Sequence, residues 1–207
     1  MPLVRKGGAT PSPTADRRSA EERLRNGTSD ERWAAARALS GQAQAVKSLS
    51  AALAIEPDAR VREAVLTSLA RIDTAQSAEA ILPLIRSDDA DLRTGALDAL
   101  RLMPRALEAN LAGLLGDPDA DVRLLACDLA REIPPPTATR LLCDLLVGER
   151  EVNVCAAAVD VLAECGGPEA LPVLSACADR FADVPFLAFS LRIAGDRICG
   201  QSPSHDD

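Results

Sequence analysis

Six cysteines, one histidine and a recurring set of Asp/Arg pairs are the residues of this 207-residue chain whose types could do chemistry. The cysteines stand at 127, 143, 155, 165, 177 and 199. Thiolates that converge in space can bind zinc or an iron–sulfur cluster, and 127, 143, 155 and 177 are candidates for such convergence on neighbouring helices. No Cys-x-x-Cys pair is present. Small thiols filling alanine-sized gaps between helices account for all six, since cysteine is among the most buried residue types. We therefore expect no metal and no cofactor. Cys165, beside Gly166-Gly167 in a turn, is the thiol to test for reactivity. The single histidine is His205, in a polar tail, so serine-histidine, cysteine-histidine and multi-histidine mechanisms lack their histidine. No acidic residue is set apart from the rest as a general acid or base. The chain is expected not to be an enzyme.

Charge narrows the partners. There are 31 acidic and 23 basic side chains, a net charge of −8, with aromatic residues at 2%. Nucleic acid is excluded as an expected partner, because phosphate binding needs positive charge and base stacking needs rings. Residues 1–28 carry six basic and three acidic side chains, including Arg5 and Lys6, so a basic arm precedes an acidic body. The arm lacks the apolar stretch of a secretory signal, and no run of about 18 apolar residues exists to span a membrane. A cytoplasmic location without membrane contact is the expectation.

These residues are carried by a repeat. Val61-Arg62-Glu63-Ala64-Val65 aligns with Leu92-Arg93-Thr94-Gly95-Ala96, Val122-Arg123-Leu124-Leu125-Ala126 and Val154-Cys155-Ala156-Ala157-Ala158, at offsets of 31, 30 and 32. Glu31-Arg32-Trp33-Ala34-Ala35 fits the same frame thirty residues earlier, giving five units. Each unit reads as two helices. An acidic turn such as Pro57-Asp58-Ala59-Arg60 caps the first, and apolar residues at helical spacing (Val61, Val65, Leu69) give it one buried face. A Gly, Pro or Asp-Thr stop follows, then a second apolar helix such as that of Leu111, Leu114 and Leu115. No period-2 run calls for a sheet.

This pattern resembles the HEAT repeat, in the short bacterial form also seen in phycobilisome-lyase-like proteins. The resemblance implies an all-α fold, a right-handed α-solenoid of about five stacked helix pairs forming a HEAT-like superhelix. The expected organisation is a disordered basic tail over 1–15, an N-terminal capping helix within 16–28, five repeats over 29–181, a C-terminal capping helix over 182–199 and a disordered tail over 200–207. Ser19-Ala-Glu-Glu22 has the form of a capping box for the first of these helices. The resemblance also implies that Asp58, Arg62, Asp89, Arg93, Asp119 and Arg123 form a hydrogen-bonded ladder between neighbouring repeats, with Glu151 and Cys155 breaking it in the fifth. A calcium site is not supported, because the turns are too short for a calcium loop. It further implies that the second helices line a concave face, where Gln42, Lys47, Glu79, Glu108 and Asn110 form no catalytic set.

The expected role is a non-catalytic protein–protein interaction scaffold or adaptor, set by family analogy in a bacterial chemosensory or two-component signalling assembly. A bilin lyase-like or chaperone-type protein acting on a chromophore protein is the alternative, against which the missing tyrosines count. Partner contact is assigned to the basic arm (Arg5, Lys6) and to the C-terminal helix. There Leu187, Leu191, Ala194 and Ile198 share one face, while Phe186, Phe189 and Ile193 form a second. Those rings either pack back as an end cap or make a homodimer or partner contact. Trp33 either covers the end of the stack or reads a ligand.

Overall fold

The computed structural model describes residues 13–201. It contains helices α1 (Pro13–Asn26), α2 (Ser29–Ala38), α3 (Val46–Leu53), α4 (Ala59–Ile72), α5 (Ala75–Ile81), α6 (Ala90–Arg101), α7 (Pro104–Leu115), α8 (Ala120–Leu129), α9 (Pro135–Gly148), α10 (Val152–Cys165), α11 (Leu171–Arg180) and α12 (Pro185–Gln201). Among the described residues there is no strand, and no helix is long and apolar enough to cross a membrane. The fold class is that of an all-α repeat solenoid.

The described residues fall into two compact units that divide between Ala99 and Leu100, within α6. In the first unit, α2 packs on α4 as one row, while α1, α3 and α5 form a second row against it. Each first helix starts where an oxygen-bearing side chain meets exposed N–H groups. Thr28 and Glu31 make a reciprocal capping box on α2, and the Asp58 carboxylate accepts from the N–H groups of Arg60 and Val61 on α4. Helix α4 ends at Asp73 in the left-handed region (φ 46°), where the chain turns into Thr74, the cap of α5. Val61, Val65 and Leu69 are each fully buried, as their spacing requires. Gly95 faces the end of the Leu66 side chain on α4, which a Cβ there, at 2.9 Å from Leu66 Cδ1, would push aside.

In the second unit, α8, α10 and α12 form the row of first helices, and α7, α9 and α11 the row of second helices. Asp119 caps α8 through the N–H of Asp121, and prolines open α7, α9 and α12 at a place where a missing N–H costs nothing. Val122, Ala126 and Leu129 of α8 and Val154, Ala158 and Leu162 of α10 fill the space between rows.

Two boundaries differ from expectation. Helix α12 spans Pro185–Gln201 rather than 182–199, so residues 200 and 201 are helical. Helix α1 begins at Pro13 rather than within 16–28, so Ser19 lies inside the helix instead of at its cap. Proline is suited to a first turn, Asp16 favours the positive end, and Arg17 pairs with Glu21 one turn on at 3.6 Å; together these extend the helix past the serine.

Candidate functional site

Of the arginines at the second position of the repeat frame, Arg62 meets Asp89 of the next unit as the ladder expects, whereas Arg32 and Arg123 take other carboxylates. Arg32 donates from Nε and Nη2 to the two carboxylate oxygens of Glu56, both at 2.8 Å, and from Nη1 to the Gly27 carbonyl. Arg123 repeats the arrangement in the second unit, donating to Glu149 at 2.7 and 3.0 Å and to the carbonyls of Asp117 and Pro118. Glu56 also accepts from the Asp58 N–H, and Glu149 accepts from those of Arg150 and Glu151. Each buried carboxylate thus holds a forked arginine from one turn and the backbone of its own.

The charge states follow from this geometry. The Arg32 guanidinium, with the Asp58 N–H, holds the Glu56 carboxyl below the usual carboxylate range. At Glu149 burial works against ionisation, yet Arg123 and two backbone N–H groups outweigh it and leave the carboxyl low as well.

The expected ladder residues are therefore used differently. Asp58, Asp89 and Asp119 turn their carboxylates onto the N–H groups of their own helices. Arg62 meets Asp89 across turns at 3.3 Å, Arg93 donates to the Ser87 carbonyl at 2.6 Å, and Ser29 donates to Asp58. Arg62 meets the cap Asp89 itself, whereas for Arg32, Arg93 and Arg123 the reason lies in helix geometry: a long side chain in the first turn points back past its own N-terminus, toward the residue two places before a cap. That place is Glu56, Ser87, Asp117 and Glu149 in successive units.

The other candidate lies on α12. Leu187, Leu191, Ala194 and Ile198 are buried against α10 and α11. Phe186 and Phe189 are 54% and 57% exposed, Ile193 is half-buried, and the Arg192 guanidinium stands 5.1 Å from the centre of the Phe189 ring. The rings do not pack back as an end cap. Beside them a groove of about 210 Å³ runs between α11 and α12, lined by Leu171, Leu174, Ala178, Ala188, Leu191 and Gly195. Arg5 and Lys6, the remaining expected contact residues, lie outside the described residues.

The profile of the HEAT repeats family matches residues 18–101 and 107–184. The chain belongs to the HEAT-repeat family. No curated protein matches its sequence. An engineered protein of known structure is 21% identical, with 89% of this chain and 99% of that one covered and a TM-score of 0.45. The complex of CpcE and CpcF of phycocyanin lyase from Nostoc sp. PCC7120 is 16% identical over 95% of this chain and 100% of that one, with a TM-score of 0.41. A designed armadillo repeat protein is 15% identical over 87% and 98%, with a TM-score of 0.42. None of these structural likenesses bears on function.

In this HEAT-repeat protein the thiols mostly belong to the packing. Cys127, Cys155 and Cys177 are buried, Cys143 and Cys165 half-buried and Cys199 exposed. Among the described residues no group of three or more His, Cys, Asp or Glu stands where it could hold a metal ion. Burial pushes the Cys127 thiol up to about 12 and the Cys143 thiol up to about 11. Cys165, the thiol singled out for a reactivity test, is raised too, by burial and then by Glu164. Cys177 is the thiol drawn down, by a hydrogen bond from Cys155 and by Arg180, whose Nη2 lies 3.6 Å from its sulfur. It is fully buried all the same.

Proposed function

We propose that this HEAT-repeat protein is a non-catalytic interaction scaffold whose contact surface is the outer face of α12. One observation carries the reading. Helix α12 stands in the row of first helices, after α8 and α10, and its outer side presents two exposed aromatic rings. Repeat proteins need a polar terminal layer to stay soluble, because each unit's apolar face is otherwise left in water. Here Phe186 and Phe189 are left there instead, beside the groove between α11 and α12. A helix supplied by another chain, a second copy included, would complete that layer and bury two aromatic anchors.

Site-specific photo-crosslinking in the native host tests this. With p-benzoylphenylalanine in place of Phe189, irradiation is expected to yield a discrete adduct with another polypeptide. The same group in place of Arg18, on the polar outer side of α1, is expected to yield none. Equal adduct patterns at the two positions, or none at 189, would contradict the assignment.

A further inference from the structure

A second surface lies within the first unit, around Trp33. The chain's single tryptophan is half-buried between α2 and α4. Its ring carries two guanidinium groups, Arg37 at 4.7 Å and Arg60 at 5.2 Å from the centroid. Around it opens a cleft of about 240 Å³ walled by Trp33 and Arg37 of α2 with Ser40 in the turn after it, and by Arg60, Glu63, Thr67 and Arg71 of α4. The floor is kept low by small residues, Ala64 and Ser68, the latter tied to the Ala36 carbonyl at 2.9 Å.

Three arginines thus face one glutamate. Arg60 is already paired with Asp30. Among the described residues Arg37 and Arg71 have no carboxylate partner, although the chain holds eight more acidic than basic side chains. The imbalance is regional. Residues 1–72 carry twelve basic and eight acidic side chains, whereas residues 73–207 carry eleven and twenty-three. Stacking on the ring accounts for Arg37 and Arg60, which leaves Arg71 as a guanidinium on the same cleft as the tryptophan with neither ring nor carboxylate.

We infer that this cleft binds a short acidic peptide segment of a partner protein. From Arg60 to Arg71 is eleven helical positions, about 16 Å, which matches about five residues of extended chain. Arg37 and Arg71 take side-chain carboxylates through their forked N–H groups, and Trp33 offers an apolar surface to the methylene stems between them. A nucleic acid strand fits less well: it needs several stacking rings and a continuous basic track, and the chain has one tryptophan, no tyrosine and a net charge of −8. The inference goes beyond the role assigned to α12, and since the cleft is built wholly from residues 33–71, either can fail without the other.

Trp33 itself reports the outcome, as no other tryptophan contributes to the fluorescence. The full chain is titrated with blocked hexaglutamate, with blocked hexaglutamine and with the oligonucleotide dT6. Hexaglutamate is expected to give a saturable change in Trp33 emission that weakens with added salt. Hexaglutamine is expected to give none. R71Q is expected to weaken hexaglutamate binding roughly five- to tenfold, with the unliganded spectrum and the melting curve unchanged, because Arg71 does not touch the ring. R37Q weakens it to a similar degree but shifts the unliganded spectrum. A response to hexaglutamine equal to that of hexaglutamate, no saturable response to either, tighter binding of dT6, or wild-type affinity in R71Q would each overturn the inference.

Discussion

The two terminal helices of this protein close their repeats in opposite ways. Helix α1 packs Ala20 and Leu24 against α2 and α3 and shows water Arg18, Glu22 and Arg25. Helix α12 packs four apolar residues inward with equal completeness, yet its outer side presents Phe186 and Phe189. Both are single helices added to a stack of pairs, and both satisfy the fold. What separates them is the layer facing solvent. A polar outer layer ends a solenoid, and an apolar one leaves it open to another chain.

The sharpest test of this contrast is to treat the two sides of α12 separately. Leu187→Ala removes a fully buried side chain from the inner face and is expected to cost about 3 kcal/mol, lowering Tm by roughly 6–12 °C in a thermal melt. A loss no larger than that of an outer-face substitution would mean that α12 is not anchored as described. Next in size is the interior pair of the second unit. Arg123→Ala strands the Glu149 carboxylate, whose side chain is only 4% exposed, and is expected to cost about 2 kcal/mol in denaturant unfolding. Arg18→Ala, on the outer side of α1, is expected to stay within about 0.5 kcal/mol of wild type.

Acid separates the same features without further substitutions. Glu56 and Glu149 have folded-state pKa values below the ordinary 4.5, so the stabilisation each gives is complete above that value and fades as pH falls through the lowered one. Wild type is therefore expected to lose more Tm between pH 5 and pH 3 than Arg123→Ala, which has already lost one of the two pairs. Parallel pH profiles would remove the Arg123–Glu149 pair from the account. Thiol labelling gives a smaller, kinetic readout. Cys199, exposed on α12, is expected to react first, Cys143 and Cys165 slowly, and Cys127, Cys155 and Cys177 only on unfolding. Bound partner is expected to slow Cys199 if it covers that part of the helix.

Much of the fold was legible because stacking repeats its demands. Arg32, Arg62, Arg93 and Arg123 recur in one frame, cap aspartates precede α4, α6 and α8, and Leu187, Leu191, Ala194 and Ile198 share one face at helical spacing. Glu56 and Glu149 were missed although a signal existed: an acidic residue stands two places before the cap at 56, 117 and 149. It was absorbed into the general acidity of the turns, since spacing alone does not say which carboxylate faces its own helix and which faces an arginine from another turn. Ser19 misled because a capping-box pattern is local, and the helix that crosses it is set by Pro13 and Asp16 upstream. The cleft at Trp33 was legible only in part. Arg37 follows at helical spacing, but Arg60 and Arg71 arrive from a helix about thirty residues on, which only the packing of α2 on α4 brings near.

The open face of α12 is the central claim, and Phe189→Ser tests it most directly, read by thermal melting and light-scattering mass on the same sample with and without the partner identified at that position. The expected result is a Tm within about 1–2 °C of wild type, as for an exposed side chain, with loss of the associated species. A Tm lowered as far as that of Leu187→Ala, or an associated mass equal to that of wild type, would contradict it.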